Sequence, residues 1–334
     1  MMDCLGRIAV IGSGSWATAL AKLLLKNCDR IVWHVHREDQ IAEFKRCGRN
    51  PVYLSDIPLD VSRIDFTADI SEACSMADTL LVVVPSPFLT ATFESLNVDI
   101  SGLNVVSAVK GIVPHSNMIV TDYFERRFGV GRDNVLAVGG PCHAEEVALE
   151  RLSYLTIGCR DTAKSEAFCR RIDSLAMKTI VSPDVEGIEY AAVLKNVYAI
   201  AAGMISGMRS GDNFKAMMVS NAVREMERFV GAMAPLESRD IDRSAYLGDL
   251  LVTAYSRFSR NHNFGAMIGK GYSVKAAKME MEMVAEGYYG AESITRINNA
   301  GPKADMPILR CVYSILYEGA NPRNAFKAVA DTFS

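Results

Sequence analysis

Apolar residues in the first half of the chain fall in short unbroken runs and do not alternate with polar ones. Arg7-Ile8-Ala9-Val10-Ile11, Arg30-Ile31-Val32-Trp33-His34 and Thr79-Leu80-Leu81-Val82-Val83-Val84 are such runs. Asn104-Val105-Val106-Ser107-Ala108-Val109 and Val135-Leu136-Ala137-Val138 repeat the pattern, and Leu155-Thr156-Ile157-Gly158 and Thr179-Ile180-Val181 extend it. Strands apolar on both faces, separated by stretches of helical character, predict a parallel sheet covered by helices on both sides. Asn50 to Pro58, with two prolines and several turn residues, predicts a loop. From about Val185 the β-branched runs vanish and alanine, methionine, glutamate and lysine take over, which predicts helices alone. Within that region Ala199, Gly203 and Gly207 recur at four-residue spacing, a face where a second backbone can approach closely. The fold class expected is α/β followed by all-α, with a first domain over 1–185 and a second over 186–334.

The first strand runs straight into Gly12-Ser13-Gly14-Ser15-Trp16-Ala17 and then into the helical Thr18-Ala19-Leu20-Ala21-Lys22-Leu23. Strand, glycine turn and helix in that order suit a dinucleotide: Gly12 for the tight turn, Gly14 for close approach of a pyrophosphate, Ala17 for helix–strand packing. The N–H groups opening the helix would face the phosphates. The competing reading is an ordinary strand-to-helix turn. On the dinucleotide reading the first domain is a Rossmann-type doubly wound sheet. The second strand ends in Val35-His36-Arg37-Glu38-Asp39. His36 and Arg37 suit a ribose 2′-phosphate, since a guanidinium grips phosphate through paired bonds. Glu38 and Asp39 leave room for a 2′-hydroxyl partner instead, and Arg37 also reads as a solvated loop cation. NADPH is favoured, with NADH tolerated.

Composition narrows the classes. A net charge of −3 over 334 residues gives no overall attraction to nucleic acid or to an anionic membrane, so any anion site must be local. No segment at the start of the chain has the form of a signal peptide, which points to a cytoplasmic protein. The longest apolar candidate for a membrane span, near Ala191 to Met208, carries Lys195 and Asn196, so no membrane insertion is expected. The eight cysteines lack metal-ligand or framework spacing and read as reduced thiols. The five histidines, His34, His36, His115, His143 and His262, form no ligand-spaced cluster, so no metal is expected. Lys278-Met279-Glu280-Met281-Glu282-Met283 reads as a packing helix.

In a sheet of this kind ligands gather at the carboxyl ends of the strands. Pro85-Ser86, Lys110-Gly111 and Gly140-Pro141-Cys142-His143 fall there. Lys195 interrupts an otherwise apolar helix, beside the polar Asn196. A lysine that snorkels to the surface explains it as well as a desolvated one whose lowered pKa suits proton transfer near neutrality. Lys110 is a second candidate, or a loop lysine. Ser259-Arg260-Asn261 gathers a hydroxyl, a guanidinium and an amide fit for a phosphate and hydroxyls, or is an ordinary polar loop.

Taken together these stretches resemble the bacterial NAD(P)-dependent glycerol-3-phosphate dehydrogenase family over nearly the whole chain. The matching segments are Gly12 to Ala21, Val84-Pro85-Ser86, Lys110-Gly111-Ile112, Gly140 to Glu145, Leu194-Lys195-Asn196, Gly211 to Ala216, Gly248-Asp249-Leu250, Ser259-Arg260-Asn261 and Val284 to Gly287. The resemblance implies reversible reduction of dihydroxyacetone phosphate to sn-glycerol 3-phosphate, supplying glycerophospholipid synthesis, with Lys195 as general acid and base. It implies substrate contacts from Lys110, Gly140, Cys142, Asn196, Asp249, Ser259, Arg260 and Asn261. It implies nucleotide contacts from Ser15, Trp16, His36, Arg37, Tyr53, Lys110, Ala144, Arg260, Val284 and Glu286, besides Gly12 and Gly14, and a homodimer. The chain departs from the family at Ala17, at Cys142 where serine or threonine is usual, at Ser220-Asn221-Ala222 where Thr-Arg-Gly is usual, and at Ala254. Two rival readings are a reductase of β-hydroxyacids or 2-ketoacids, whose site would hold a carboxylate, and a non-catalytic NADPH-binding regulator.

Overall fold

The computed structural model describes residues 4–114, 116–256, 258–281 and 285–333. His115, Val284 and the Glu282-Met283 end of the methionine-rich stretch therefore lie outside the described residues. The chain divides into two compact units, one made of residues 1–109 and 118–186, the other of 110–117 and 187–334.

The first unit is built on eight strands: β1 (Ile8–Ile11), β2 (Ile31–His34), β3 (Ile64–Thr67), β4 (Thr79–Val82), β5 (Asn104–Ser107), β6 (Val135–Gly139), β7 (Ser153–Gly158) and β8 (Met177–Ser182). They lie in the order β3-β2-β1-β4-β5-β6-β7-β8. Every pairing is parallel except that of β6 with β7, where Val138 faces Ile157 antiparallel. All seven strands read from the apolar runs are present, and the parallel order holds through β6. β3 was not expected. Its Ile-Asp-Phe-Thr alternation lacks an unbroken apolar run, and its polar Asp65 is taken up by Arg7 and Arg30, which only the folded chain brings to it. The order reverses direction between β1 and β4, so the turn after β1 lies at the switch point of the sheet.

The second unit is helical. Its longest member, Val185–Gly207, is apolar and long enough to cross a membrane by length and composition, despite Lys195 and Asn196. That differs from the expectation that those residues break the run. The helix is buried along the whole apolar window, as the core helix of a globular unit is. The four-residue spacing of small residues works as expected. A Cβ on Gly203 would lie 2.0 Å from the His262 carbonyl oxygen, and one on Gly207 would lie 2.2 Å from that of Ala266. The helix Arg260–Gly269 answers with its own glycines, since a Cβ on Gly265 or Gly269 would strike Ile200 or Met204 backbone at 2.0 and 2.2 Å. The two backbones touch along a glycine seam that no larger residue fits. Glu225, on the helix Asp212–Met233, is wholly buried and accepts the Ile308 and Leu309 N–H groups at 2.8 and 2.9 Å and the Tyr198 hydroxyl at 3.2 Å. It satisfies two of the open donors at the start of the helix Pro307–Tyr317. The methionine-rich stretch enters the helix Val274–Glu280 with Ala277 buried but Met279 exposed, so Met279 does not make the packing expected of it.

Candidate active site

Two groups of expected site residues are formed, one in each unit. In the first unit Gly12 follows β1 with φ +118°, and a Cβ there would meet the Val83 carbonyl oxygen at 2.8 Å, so only glycine fits. Gly14 caps the helix Ser15–Asn27 without a side-chain hydrogen bond, and a Cβ on it would meet nothing within 4 Å. An open space beside a helix N-terminus that has no side-chain cap and no acid in its first turn fits an anionic group such as a pyrophosphate. Three carbonyls of this turn are held from behind. Gly12 accepts the Trp33 indole N–H at 2.7 Å, Ser13 accepts the Asn50 amide at 2.9 Å, and Gly14 accepts the Thr18 hydroxyl at 3.0 Å. Ser15, Trp16 and Tyr53 are half-buried beside the turn or on the loop that follows the helix Glu38–Cys47.

His36 and Arg37 are exposed just past β2, and none of the three residues between the strand and the helix Glu38–Cys47 is acidic. Arg37 is paired with Asp39, both well exposed, and the Arg37 guanidinium holds the Asp39 carboxyl below its ordinary range. Arg37 is thus already turned toward a carboxylate, in a place where an incoming phosphate would compete for it. Gly140 follows β6 with φ +129°, and a Cβ there would sit 2.6 Å from the Tyr154 carbonyl oxygen. Cys142 is buried, and its thiol donates to that same carbonyl at 3.2 Å. Ala144 opens the short helix Ala144–Ala148.

In the second unit Lys195 is 3% exposed, which rules out the snorkelling lysine. Its ammonium is paired with Asp249, itself 1% exposed. Asp249 opens the helix Asp249–Tyr255 directly after a π-helical turn over Ser244–Gly248, a distortion absent from any sequence signal used above. Such turns often accompany functional positions. Burial pushes the Lys195 pKa down, Asp249 pulls it back up, and the neighbouring Lys110 side chain lowers it, to about 8. The lysine can therefore exist in either protonation state near neutrality.

Asn196, one residue on, donates to the Lys110 carbonyl at 3.1 Å and accepts from Asn261 at 2.9 Å, while Asn261 accepts the Gly287 N–H at 2.9 Å. This chain of bonds ties the lysine helix, the Lys110 segment, the start of Arg260–Gly269 and the start of the helix Glu286–Ala300 into one arrangement. Ser259 is the N-cap of Arg260–Gly269, its hydroxyl accepting the His262 N–H at 3.2 Å. Arg260 projects from the first position of that helix and is exposed, and Glu286 is half-buried at the first position of its own. Lys110, Lys195, Asn196, Asp249 and Asn261 are thus brought together. Among the described residues no group of three or more His, Cys, Asp or Glu side chains could hold a metal ion. Sequence reading missed Asn50, Trp33 and Thr18 behind the glycine turn. Asn50 and Trp33 reach the turn from 37 and 21 residues away, and Thr18 joins them through Asn50, so local pattern does not mark them.

The profile of the NAD-dependent glycerol-3-phosphate dehydrogenase N-terminus matches residues 7–165, and that of the C-terminus matches residues 184–327. A glycerol-3-phosphate dehydrogenase [NAD(P)+] of Prosthecochloris aestuarii is 34% identical over 317 residues, covering 93% of each chain. One of Exiguobacterium is 31% identical over 326 residues, covering 97% of this chain and 94% of its own. Among solved structures, glycerol-3-phosphate dehydrogenase of Coxiella burnetii shares the fold with a TM-score of 0.87 at 24% identity, over 98% of this chain and 99% of its own.

Proposed function

We propose that this chain, which belongs to the NAD-dependent glycerol-3-phosphate dehydrogenase family, reduces dihydroxyacetone phosphate to sn-glycerol 3-phosphate with Lys195 as the group that gives and takes the proton. The single observation that carries the role of Lys195 is the buried Lys195–Asp249 pair beside Lys110, with the lysine pKa pushed down to about 8. A nicotinamide nucleotide, when bound, would supply the hydride to the substrate C2 in reduction and accept it in oxidation.

Every other part of the chemistry falls to the chain itself. Lys195 as ammonium donates a hydrogen bond to the C2 carbonyl oxygen, and its proton passes to that oxygen as the alcohol forms. As the amine it takes the hydroxyl proton in the reverse direction. Asp249 keeps the ammonium charged in a site that would otherwise discharge it, and holds its direction. The Lys110 ammonium and the Arg260 guanidinium, with the N-terminus of Arg260–Gly269, suit a phosphate dianion. Binding energy from that remote group then orients the ketone. Gly140 and Cys142 complete the substrate contacts, and Gly12, Gly14, Ser15, Trp16, Tyr53, Ala144, Val284 and Glu286 those of the nucleotide. The first unit carries the glycine turn and the second the catalytic lysine. NADPH is the preferred cofactor because His36 and Arg37 precede the first acids, Glu38 and Asp39, after β2. The product feeds glycerophospholipid synthesis in the cytoplasm, and the enzyme acts as a homodimer.

The test is an initial-rate comparison of NADPH and NADH with dihydroxyacetone phosphate and with 2-ketoacids, alongside Lys195→Met. Turnover of dihydroxyacetone phosphate that is lost in Lys195→Met while NADPH still binds supports the reading. Turnover unchanged in the variant, or confined to 2-ketoacids, overturns it.

A further inference from the structure

Asn50 sits in a stretch that sequence reading marks only as a loop, yet it is wholly buried. Its carboxamide is saturated. The nitrogen donates to the Ser13 carbonyl at 2.9 Å and to the Thr18 hydroxyl at 2.7 Å. The oxygen accepts the N–H groups of Val52 and Tyr53, both at 3.0 Å. Two donors and two acceptor sites are all an asparagine side chain offers, so nothing is left over for any other partner.

The consequence for the glycine turn follows from peptide geometry. In a trans peptide the C=O of one residue and the N–H of the next point in opposite directions. Holding the Ser13 carbonyl against Asn50 therefore turns the Gly14 N–H away from Asn50. The Thr18 hydroxyl accepts from Asn50 and donates to the Gly14 carbonyl at 3.0 Å, which turns the Ser15 N–H outward by the same rule. Trp33 does the same for the Ser13 N–H by holding the Gly12 carbonyl. Successive outward N–H groups at a helix start form an anion-binding concavity. The other half of the same carboxamide pins the Val52-Tyr53 backbone, so one side chain fixes both the turn and the loop that carries Tyr53.

We infer that Asn50 is a positioning residue of the nicotinamide-nucleotide site: it presets the glycine-turn N–H groups for a pyrophosphate and registers the Tyr53 loop against that turn. It touches neither cofactor nor substrate and acts through the backbone it holds. This rests on the nucleotide reading proposed above.

Asn50→Asp, measured at pH 8, keeps the shape and the acceptor for Val52 and Tyr53, removes both donated bonds, and sets a carboxylate against the Ser13 carbonyl oxygen. The dissociation constant for NADPH, read by fluorescence titration without substrate, is expected to rise roughly tenfold or more. The KM for NADPH follows it, while the KM for dihydroxyacetone phosphate at saturating NADPH and the pH profile of turnover stay in place. Thr18→Val removes only the hydroxyl relay and is expected to weaken NADPH in the same direction by less. If Asn50→Asp does not fold, Thr18→Val decides: weaker NADPH binding supports the inference and unchanged binding overturns it. A folded Asn50→Asp that binds NADPH as the parent does also overturns it, as does loss of kcat with both KM values and the pH profile moving together. Failure of the parent chain to bind NADPH would instead overturn the function itself, so the two failures are told apart.

Discussion

The ammonium of Lys195 and the carboxylate of Asp249 meet inside the helical unit from positions 54 residues apart, and neither is more than 3% exposed. A buried ion pair adds little net stability, because desolvating two charges offsets most of their attraction. What it sets here is the protonation of the lysine. Burial and Lys110 drive that proton off, and Asp249 helps retain it up to about pH 8, where the lysine titrates.

With Lys195 as the proposed proton donor, reduction needs the ammonium, so its rate should be level below pH 8 and fall above it, while oxidation should rise through the same value. Asp249→Asn takes away the group that raises the lysine pKa. The alkaline limb of the reduction profile should then move to lower pH by roughly one to three units, with a lower plateau. Initial rates across pH 6 to 10, in both directions, read this; an unmoved limb in Asp249→Asn would show that the pair does not govern the titration.

Arg37 is committed to Asp39 in the structure, and an incoming 2′-phosphate must draw it away. Arg37→Ala should raise the KM for NADPH by about tenfold and leave that for NADH nearly unchanged. Asp39→Ala should lower the KM for NADPH, since the guanidinium is then free. Both variants need only steady-state rates with each cofactor, and equal effects on the two cofactors would refute the assignment.

Gly203 and Gly231 lie in long helices of the same unit and should respond to alanine with opposite signs. A Cβ on Gly203 meets the His262 carbonyl at 2.0 Å, whereas one on Gly231 meets nothing within 4 Å. Gly203→Ala should destabilise the unit by about 3 kcal/mol. Gly231→Ala should stabilise it by up to about 1 kcal/mol, by helix propensity and reduced freedom of the unfolded chain. Thermal unfolding of the two variants beside the parent gives the comparison.

Burial pushes the Glu225 pKa up to about 7, against an ordinary value of 4.5, despite the donors from Ile308, Leu309 and Tyr198. A raised folded-state pKa means that the folded chain binds the proton more tightly than the unfolded one. Its contribution is therefore full below about pH 4.5 and is lost as the pH rises through 7. In Glu225→Gln that part of the pH dependence should disappear. Unfolding midpoints of parent and variant from pH 5 to 8 should differ in slope; parallel curves would mean that Glu225 does not titrate there.

Strands were legible wherever burial on both faces left an unbroken apolar run, and β3 was missed because Asp65 is neutralised by Arg7 and Arg30 from elsewhere in the chain. The reversal of β7 leaves no trace in residue type, since β-branched residues suit either direction. Gly203 and Gly207 announced a close helix contact through their spacing, and their partners Gly265 and Gly269 carry the same four-residue spacing unremarked. Lys195 stood out as a charge in an apolar helix. Asn50 and Glu225 did not, because a turn-rich loop and an amphipathic helix each have an ordinary place for such residues, and only long-range partners show that both are buried.

The membership of Lys110–Asn117 in the helical unit has a consequence for dissecting the molecule. The polypeptide visits that unit briefly, returns to finish the sheet, and only then commits to helices. Splitting the gene after codon 186 would strand Lys110 and the carbonyl that Asn196 grips on the wrong polypeptide, so a C-terminal product would be born incomplete. Reconstitution by mixing the two halves, rather than expression of either one, is the route by which such a split enzyme would regain its lysine environment.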